Sequence, residues 1–370
     1  MKKILIAASA IALVASGLTV VPANAVAVSA SRATVGDECA VVGTVAKAKG
    51  ADGSDLVCRI ATIGTSKGVR QWLYKEDPIL AELDTLITTG PGGFDTFGTE
   101  INRALKAEGL VTAEPTKRNI SGAGQTVGLT SFYNNDTGKA NKAVVVGWAS
   151  IGGVHVNKGT VKVSQLVPAL RMTEDPIALV VRADSKYKNL DDLLAAMKSK
   201  KIAIAGGSTG TQDQFMVASI YQKLGVPKNM NYIAYAGGGG ALGGIMSDAT
   251  FAAAVSGYDE FAAQIEAGKL RVVGISFSKR VPGIKAKTLS EQGMPVVVAN
   301  WRGLALPAST SKENRDKFIR AISVMRVSTT WKSVIASRNY IDAFMSGDRF
   351  NSWVKGQERA VSAAFTKLGL

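Results

Sequence analysis

From about Leu80 to the C-terminus, short apolar runs alternate with amphipathic stretches, and the two periodicities predict strands and helices in turn. Strands are expected at Leu83–Thr88, Ala143–Trp148, Ile177–Arg182, Ile202–Ala205, Tyr232–Tyr235, Ala252–Val255, Leu270–Ile275 and Gly303–Leu306. Helices are expected between them, such as Leu190–Ser199 after Lys188-Asn189, and Thr211–Leu224, closed by Gly225 with Pro227 just beyond. The C-terminal part reads as helical, with a capping-box pattern at Thr310 and Glu313 and with Phe318, Ile322 and Met325 on one face. This is the grammar of α/β layers. At roughly 290 residues it exceeds what one core usually holds, so two lobes are expected.

The strand-to-helix junctions carry the candidate chemistry. In LDTLITTGPGGFDTFGTEINRALKAEG (83–109) an apolar run meets a glycine-proline loop and then a helix with Phe97, Ile101 and Leu105 on one face. Glycines let backbone N–H groups approach a ligand, and the helix start adds unpaired donors and a positive dipole end, so the loop is suited to an anion. The design recurs at KIAIAGGSTGTQDQF (201–215), where Thr211 and Gln214 fit a capping box, and at NYIAYAGGGGALGGIM (231–246) and FAAAVSGYDEFAAQI (251–265). In α/β folds ligands sit beyond the carboxyl ends of the strands, so four such loops predict a binding cleft.

The N-terminal segments differ from this body. Lys2 and Lys3, an apolar stretch from Ile4 to Val21, Pro22 and the exit Ala23-Asn24-Ala25 predict a signal peptide over 1–25. No cysteine near its end suggests a lipid anchor, so an exported protein, periplasmic or associated with the cell surface, is expected. Residues 26–76, with Gly36, Gly43, Gly50, Gly53, Gly64, Gly68 and Trp72, predict a small β extension. Cys39 and Cys58 are the two cysteines of the chain, and in an exported protein they read as a disulfide.

Net charge is +15, and +13 once Lys2 and Lys3 are removed. A basic surface favours anionic partners. Nucleic acid is not expected, because the lysines are scattered and no basic run is interleaved with aromatic residues. Small anions suit the glycine loops.

Enzyme readings find little material. His155, in SIGGVHVNKG, is the one histidine, and no GxSxG elbow or HExxH accompanies it; it reads as a partly exposed loop residue. Gly238, Gly240 and Gly243 satisfy GxGxxG, but no acidic residue ends a strand at the distance a dinucleotide needs, and no lysine follows the glycine loops as in a P-loop. Asp95 and Asp259 read as helix-start carboxylates that pair with free N–H groups. No cofactor and no metal are expected.

The chain resembles the extracytoplasmic solute receptors of the tripartite tricarboxylate transporter family. The resemblance rests on GPGGFD (90–95), ISGAGQTVGL (120–129), ADSKYKNLDDLLAAMKS (183–199), AGGSTGTQDQ (205–214), YAGGGGAL (235–242), VSGYDEFAAQIEAGKLRVVGIS (255–276), EQGMPVVVANWRGLALP (291–307) and the ending LGL (368–370). It implies an α/β, two-lobed periplasmic-binding-protein fold, with lobe 1 formed by 77–180 and a return over 301–370, and lobe 2 by 181–300. The 26–76 extension lies outside it.

By the same resemblance, carboxylates would be held by Gly92, Gly93, Phe94 and Asp95 from one lobe and by Ser208, Thr209, Gly210 and Thr211 from the other. Ser256 and Tyr258 would join them from the fourth loop, with Trp148 and Ser150 at a further strand end. Phe94 stands where relatives usually carry a third glycine and then tryptophan. Trp148 and Trp301 also fit core or hinge packing, and Arg302 is either an edge charge or the cationic partner of a carboxylate. The implied function is capture of a citrate-like di- or tricarboxylate by a monomer and its delivery to membrane subunits of the transporter. An exported enzyme acting on a carboxylated substrate and a binding-only sensory receptor are the alternatives.

Overall fold

The segment rich in small residues forms an antiparallel meander, β1 (Val45–Lys49), β2 (Asp55–Ile60) and β3 (Arg70–Tyr74), in a computed structural model that describes residues 27–370. The leader expected over 1–25 lies outside the described residues. Cys39 and Cys58 are bonded, with their Cα atoms 5.7 Å apart, and pack with Leu56 and Trp72 in a small core. So small a core needs that staple and a neighbour. The neighbour is the main body: Asp52 pairs with Arg320 at 2.8 Å, the Thr65 N–H donates to Glu108 at 2.8 Å, and Ser346 donates to the Ala51 carbonyl at 2.8 Å.

The main body begins with β4 (Asp84–Ile87), α1 (Gly93–Ala107), β5 (Thr116–Asn119), α2 (Thr126–Asp136), β6 (Lys142–Gly147) and α3 (Trp148–Val156). β4 pairs in parallel with β5 and β6, as expected where a helix returns the chain between strands. Helix α1 forms where Phe97, Ile101 and Leu105 share a stripe, and all three are buried on the sheet.

The strand β7 (Val167–Arg182), 16 residues long, then leads to a second set of repeats. These are α4 (Leu190–Ser199), β8 (Ile202–Gly206), α5 (Gln212–Lys223), β9 (Met230–Ala234), α6 (Gly238–Ser247), β10 (Phe251–Gly257), α7 (Tyr258–Glu266) and β11 (Leu270–Ser276). Asn189 caps α4 by accepting from the Asp192 N–H at 2.9 Å, and α5 closes at Gly225, whose φ of 75° suits a residue without a side chain. The chain returns through β12 (Ala299–Leu306), α8 (Lys312–Val327), α9 (Thr329–Ser337), β13 (Ile341–Ser346) and α10 (Gly347–Leu368).

The strands order as β5-β4-β6-β12-β7-β10-β8-β9, with β11 and β13 also on β7. The N-terminal half of β7 pairs with β12 and β13, and its C-terminal half with β10 and β11. Pro176 marks the change, opposite Ala299. The two half-sheets are thus two lobes sharing β7, the α/β arrangement of a periplasmic binding protein.

Four local expectations are corrected. The apolar run Ile177–Arg182 is only the last part of β7, because the half-polar residues before it also pair on both edges. Ser311, not Thr310, caps α8, accepting from the Asn314 N–H at 3.2 Å, while Thr310 donates to the Pro307 carbonyl. The C-terminal part is not all helical, since β13 finds an open edge on β7. His155 lies in the last turn of α3 rather than in a loop, stacked on Phe365.

The disulfide closes a loop of about 20 residues, which contributes about 3 kcal/mol in the chain-entropy model. Replacing Cys39 and Cys58 with serine is therefore expected to lower the stability of the extension by about that amount. Amide exchange should accelerate across β1–β3 while β7 keeps its protection. Unchanged exchange in β2 would mean that docking on the main body alone holds the extension.

Candidate ligand-binding site

Every strand that runs in parallel toward the seam between the half-sheets is followed by a helix starting there, so α1, α3, α5, α6 and α7 turn their N-termini to one region. The loops before them abut. A Cβ on Gly237 would stand 2.8 Å from the Pro91 carbonyl oxygen, and one on Gly92 would stand 3.3 Å from the Gly238 nitrogen. Side chains at these glycines would hold the lobes apart. The cavity between them measures about 40 Å³ and is lined from lobe 1 by Thr89, Gly92, Gly93, Phe94, Gln125 and Arg302, and from lobe 2 by Gly207, Ser208, Thr211, Gln212, Asp213, Gly238, Ser256 and Glu260.

The charges around this cavity are mostly acidic. Arg302 on β12 is 1% exposed and donates to Asp175 on β7 at 2.6 Å, with Asp259 at 3.8 Å. Asn300 donates to the other Asp175 oxygen at 3.3 Å, and the Arg302 guanidinium lies over the Tyr340 ring at 5.1 Å. Burial pushes the Asp175 carboxyl well up, opposed by Arg302, and the same acids hold the guanidinium firmly protonated against its own burial.

Two further acids face the cavity. Glu260 accepts from the Gly93 N–H across the seam and from the Ser256 hydroxyl at 2.5 Å; burial and the charge of Asp259 push it up to about 7, against Ser256, Arg302 and Gly93. Asp213 accepts from the Gly207 N–H at 3.0 Å; burial and the charge of Glu260 push it up to about 7, against the Gly207 bond. The side-chain oxygens Asp213 Oδ1, Gln212 Oε1 and Asn300 Oδ1 are buried without a hydrogen-bond partner. Such a cleft can hold a carboxylate at the α1 N-terminus and still has acceptors free for hydroxyl or protonated groups of a ligand.

The structure brings together Gly92, Gly93, Phe94, Ser208, Thr211, Ser256 and Arg302 of the residues expected from sequence. It does not bring the others to the cavity wall. Asp95 pairs with Lys117 at 2.6 Å and accepts from Asn119 at 2.8 Å, so it holds β5 rather than the α1 N–H groups. Trp148 packs between Phe215 and Phe365, with ring centroids 5.3 and 5.4 Å away. Ser150 donates to Gln125 at 2.8 Å and accepts from the Gly147 N–H, and so positions Gln125, which does line the cavity. Thr209 and Gly210 lie against Gly124 and Gly152, and Tyr258 packs with the apolar side of lobe 2.

Two sequence expectations change here. Thr211 occupies the N-cap of α5 but donates to the Ser208 carbonyl, and Gln214 accepts from the Gly210 N–H, so the pair ties the loop to itself instead of forming a capping box. Asp259 faces Arg302 and accepts from Tyr340 at 3.3 Å rather than serving its own helix start. Gly238, Gly240 and Gly243 lie within α6.

Sequence reasoning missed Asp175, Asp213, Glu260, Gln125, Gln212 and Asn300. An acid interrupting the apolar run around β7 was the available signal for Asp175. Among the described residues no group of three or more histidine, cysteine or acidic side chains is set to hold a metal.

A sequence model described as the tripartite tricarboxylate transporter family receptor matches residues 121–362. The chain belongs to that family. The periplasmic binding protein BugD shares its fold, with a TM-score of 0.70 at 19% identity over 78% of this chain and 98% of that one. MatC of Rhodopseudomonas palustris with bound malate is similar at a TM-score of 0.67 and 17% identity, over 76% of this chain and 98% of that one. An R. palustris protein with adipate gives 0.65 and 16%, over 78% and 97%. No curated protein sequence matches the chain.

Removing Arg302 strands Asp175 in the seam. Arg302→Met is expected to cost about 3–5 kcal/mol in urea unfolding, the range for breaking a buried pair; a loss below about 1 kcal/mol would make the pair a minor contact. The raised Glu260 and Asp213 carboxyls bind protons in the folded state that the unfolded chain has released. Their contribution is full below about pH 4 and is lost as pH rises to about 7. The ligand-free receptor should therefore be less stable at pH 8 than at pH 5, on the order of 1–3 kcal/mol, and Glu260→Gln should flatten the difference. A melting temperature flat over this range would overturn the assignment.

Proposed function

We propose that the protein is an exported receptor that captures a di- or tricarboxylate, citrate or a close relative, between its two lobes and delivers it to the membrane subunits of a tripartite tricarboxylate transporter. The observation that carries this reading is the carboxylate seat itself: at the seam, the N–H of Gly93 and the hydroxyl of Ser256, one from each lobe, hold a carboxylate, here that of Glu260. Gly92, Phe94, Ser208 and Thr211 complete the wall around it. Membership of the receptor family and the malate and adipate carried by structural neighbours support the same substrate class.

In this reading lobe 1 comprises 77–180 and 301–370 and lobe 2 comprises 181–300, and β7 and β12 act as the hinge. Binding is non-covalent. His155 stands on α3 outside the cavity wall, so no histidine meets the Ser256 hydroxyl at the seat. A monomer suffices, because both halves of the site come from one chain. Opening at the seam must precede entry, since about 40 Å³ is little more than the volume of one water molecule.

Thermal-shift measurements and calorimetry with citrate, malate, succinate and adipate test the reading. One site per chain is expected, and an acid at a hundredfold excess over its Kd should add about 2.7 kcal/mol of stability. Ser208→Trp, which fills the cavity from lobe 2 at a half-exposed position, should weaken binding at least tenfold while the ligand-free melting temperature stays within about 2 °C. Product formed from any of these acids, or no binding by any of them, would sink the proposal.

A further inference from the structure

Several donors at the seam are already matched by acids of the chain, while Arg302 Nε is buried without a partner. Glu260 takes the Gly93 N–H and Ser256, Asp213 takes the Gly207 N–H, and Asp175 takes Arg302. Of these three contacts that of Glu260 crosses between lobes, from α7 to the start of α1, beside the longer reach of Asp259 to Arg302 at 3.8 Å and to Tyr340 at 3.3 Å. The Glu260 carboxylate fills the space above two glycines: a Cβ on Gly92 would meet it at 3.2 Å, and one on Gly238 would collide with it. A second acid, Asp213, has an oxygen that is buried, lines the same cavity and lacks a partner.

We propose that Glu260 is an internal competitor for the ligand: it occupies the carboxylate seat and ties the lobes together in the ligand-free receptor, and an incoming acid takes that seat as Glu260 leaves it and accepts a proton from solvent. The proposal rests on the carboxylate-receptor reading above.

Charge makes the exchange proton-linked. Glu260 is faced by Asp259 on its own helix, by Asp213 on α5, by Arg302 on β12 and, behind Arg302, by Asp175 on β7 and Tyr340 before β13. One cation therefore stands against four acids. A ligand carboxylate entering this group adds a further negative charge, and the side chain it displaces stays in the acidic surroundings. Protonation of that side chain removes the repulsion. Affinity should then be level below about pH 7, where Glu260 already holds its proton, and fall by up to tenfold per unit above it. The seat also sets a threshold for ligands, because an acid that offers only what Glu260 offers gains little by the exchange.

Full-length mature receptor, Glu260→Ala and Glu260→Gln are to be titrated with citrate and with malate at pH 6 and pH 8, in buffers of different ionisation enthalpy, and their ligand-free radii of gyration measured by X-ray scattering. Glu260→Ala should bind at least tenfold more tightly at pH 8 and have a larger ligand-free radius. Glu260→Gln, which keeps the size of the side chain and serves if the alanine variant does not fold, should take up about one proton fewer per ligand at pH 8, with little difference at pH 6; ionisation of the ligand itself cancels in the comparison. Affinity, proton uptake and radius all equal to wild type would overturn the proposal. If no variant binds either acid while the radius of Glu260→Ala still grows, Glu260 is a latch and the carboxylate reading falls; if the radius is also unchanged, both fall.

Discussion

The contact between Arg302 and Asp175 is the constraint on which the cleft depends. It joins β12 to β7 where β7 passes from one half-sheet to the other, and among the described residues Arg302 is the sole buried arginine or lysine. A buried guanidinium is costly unless its hydrogen bonds are met by charge. Here the compensating charge lies on the strand both lobes share. The pair therefore sets register at the hinge and at the same time places one positive charge at the floor of the seam.

Around that charge the receptor gathers more acids than it neutralises. Glu260, Asp213 and Asp259 approach from lobe 2, and burial together with mutual repulsion keeps the first two near neutral pH in their titration. A cleft for anions is usually pictured as a basic pocket. In the reading proposed above, this one uses backbone N–H groups at helix starts, whose partial charges are fixed and need no counter-ion, and carboxyls that hold them until a ligand arrives. The basic residues of the chain lie elsewhere, many of them exposed and in surface pairs such as Lys49 with Asp55, where they contribute to long-range attraction more than to recognition.

The N-terminal extension adds a separate element to the shared fold. It docks through Asp52, Ala51 and Thr65 on the outer side of lobe 1, against α8, the end of α1 and β13, away from the seam. Its attachment to a single lobe leaves the hinge free. No helix among the described residues is long and apolar enough to cross a membrane.

Local pattern determined the elements: the β/α alternation, the glycine loops before α1 and α5, the cap at Asn189 and the pairing of Cys39 with Cys58 could each be read from neighbouring residues, because strand and helix periodicity, turn chemistry and export context are properties of short segments. Gly93, Ser208 and Ser256, named from the family resemblance, line the cavity at the seam. Tertiary structure alone decided the rest. The length of β7 and the existence of β13 come from edges that distant strands supply, and Ser311 displaced Thr310 as a cap because Thr310 found the Pro307 carbonyl. Asp175 and Glu260 acquire meaning only from partners 127 and 167 positions away in the chain, Arg302 and Gly93. Electrostatic pairing in a closed cleft depends on distances through space, and a linear pattern of residues carries no measure of those distances until the sheet has folded.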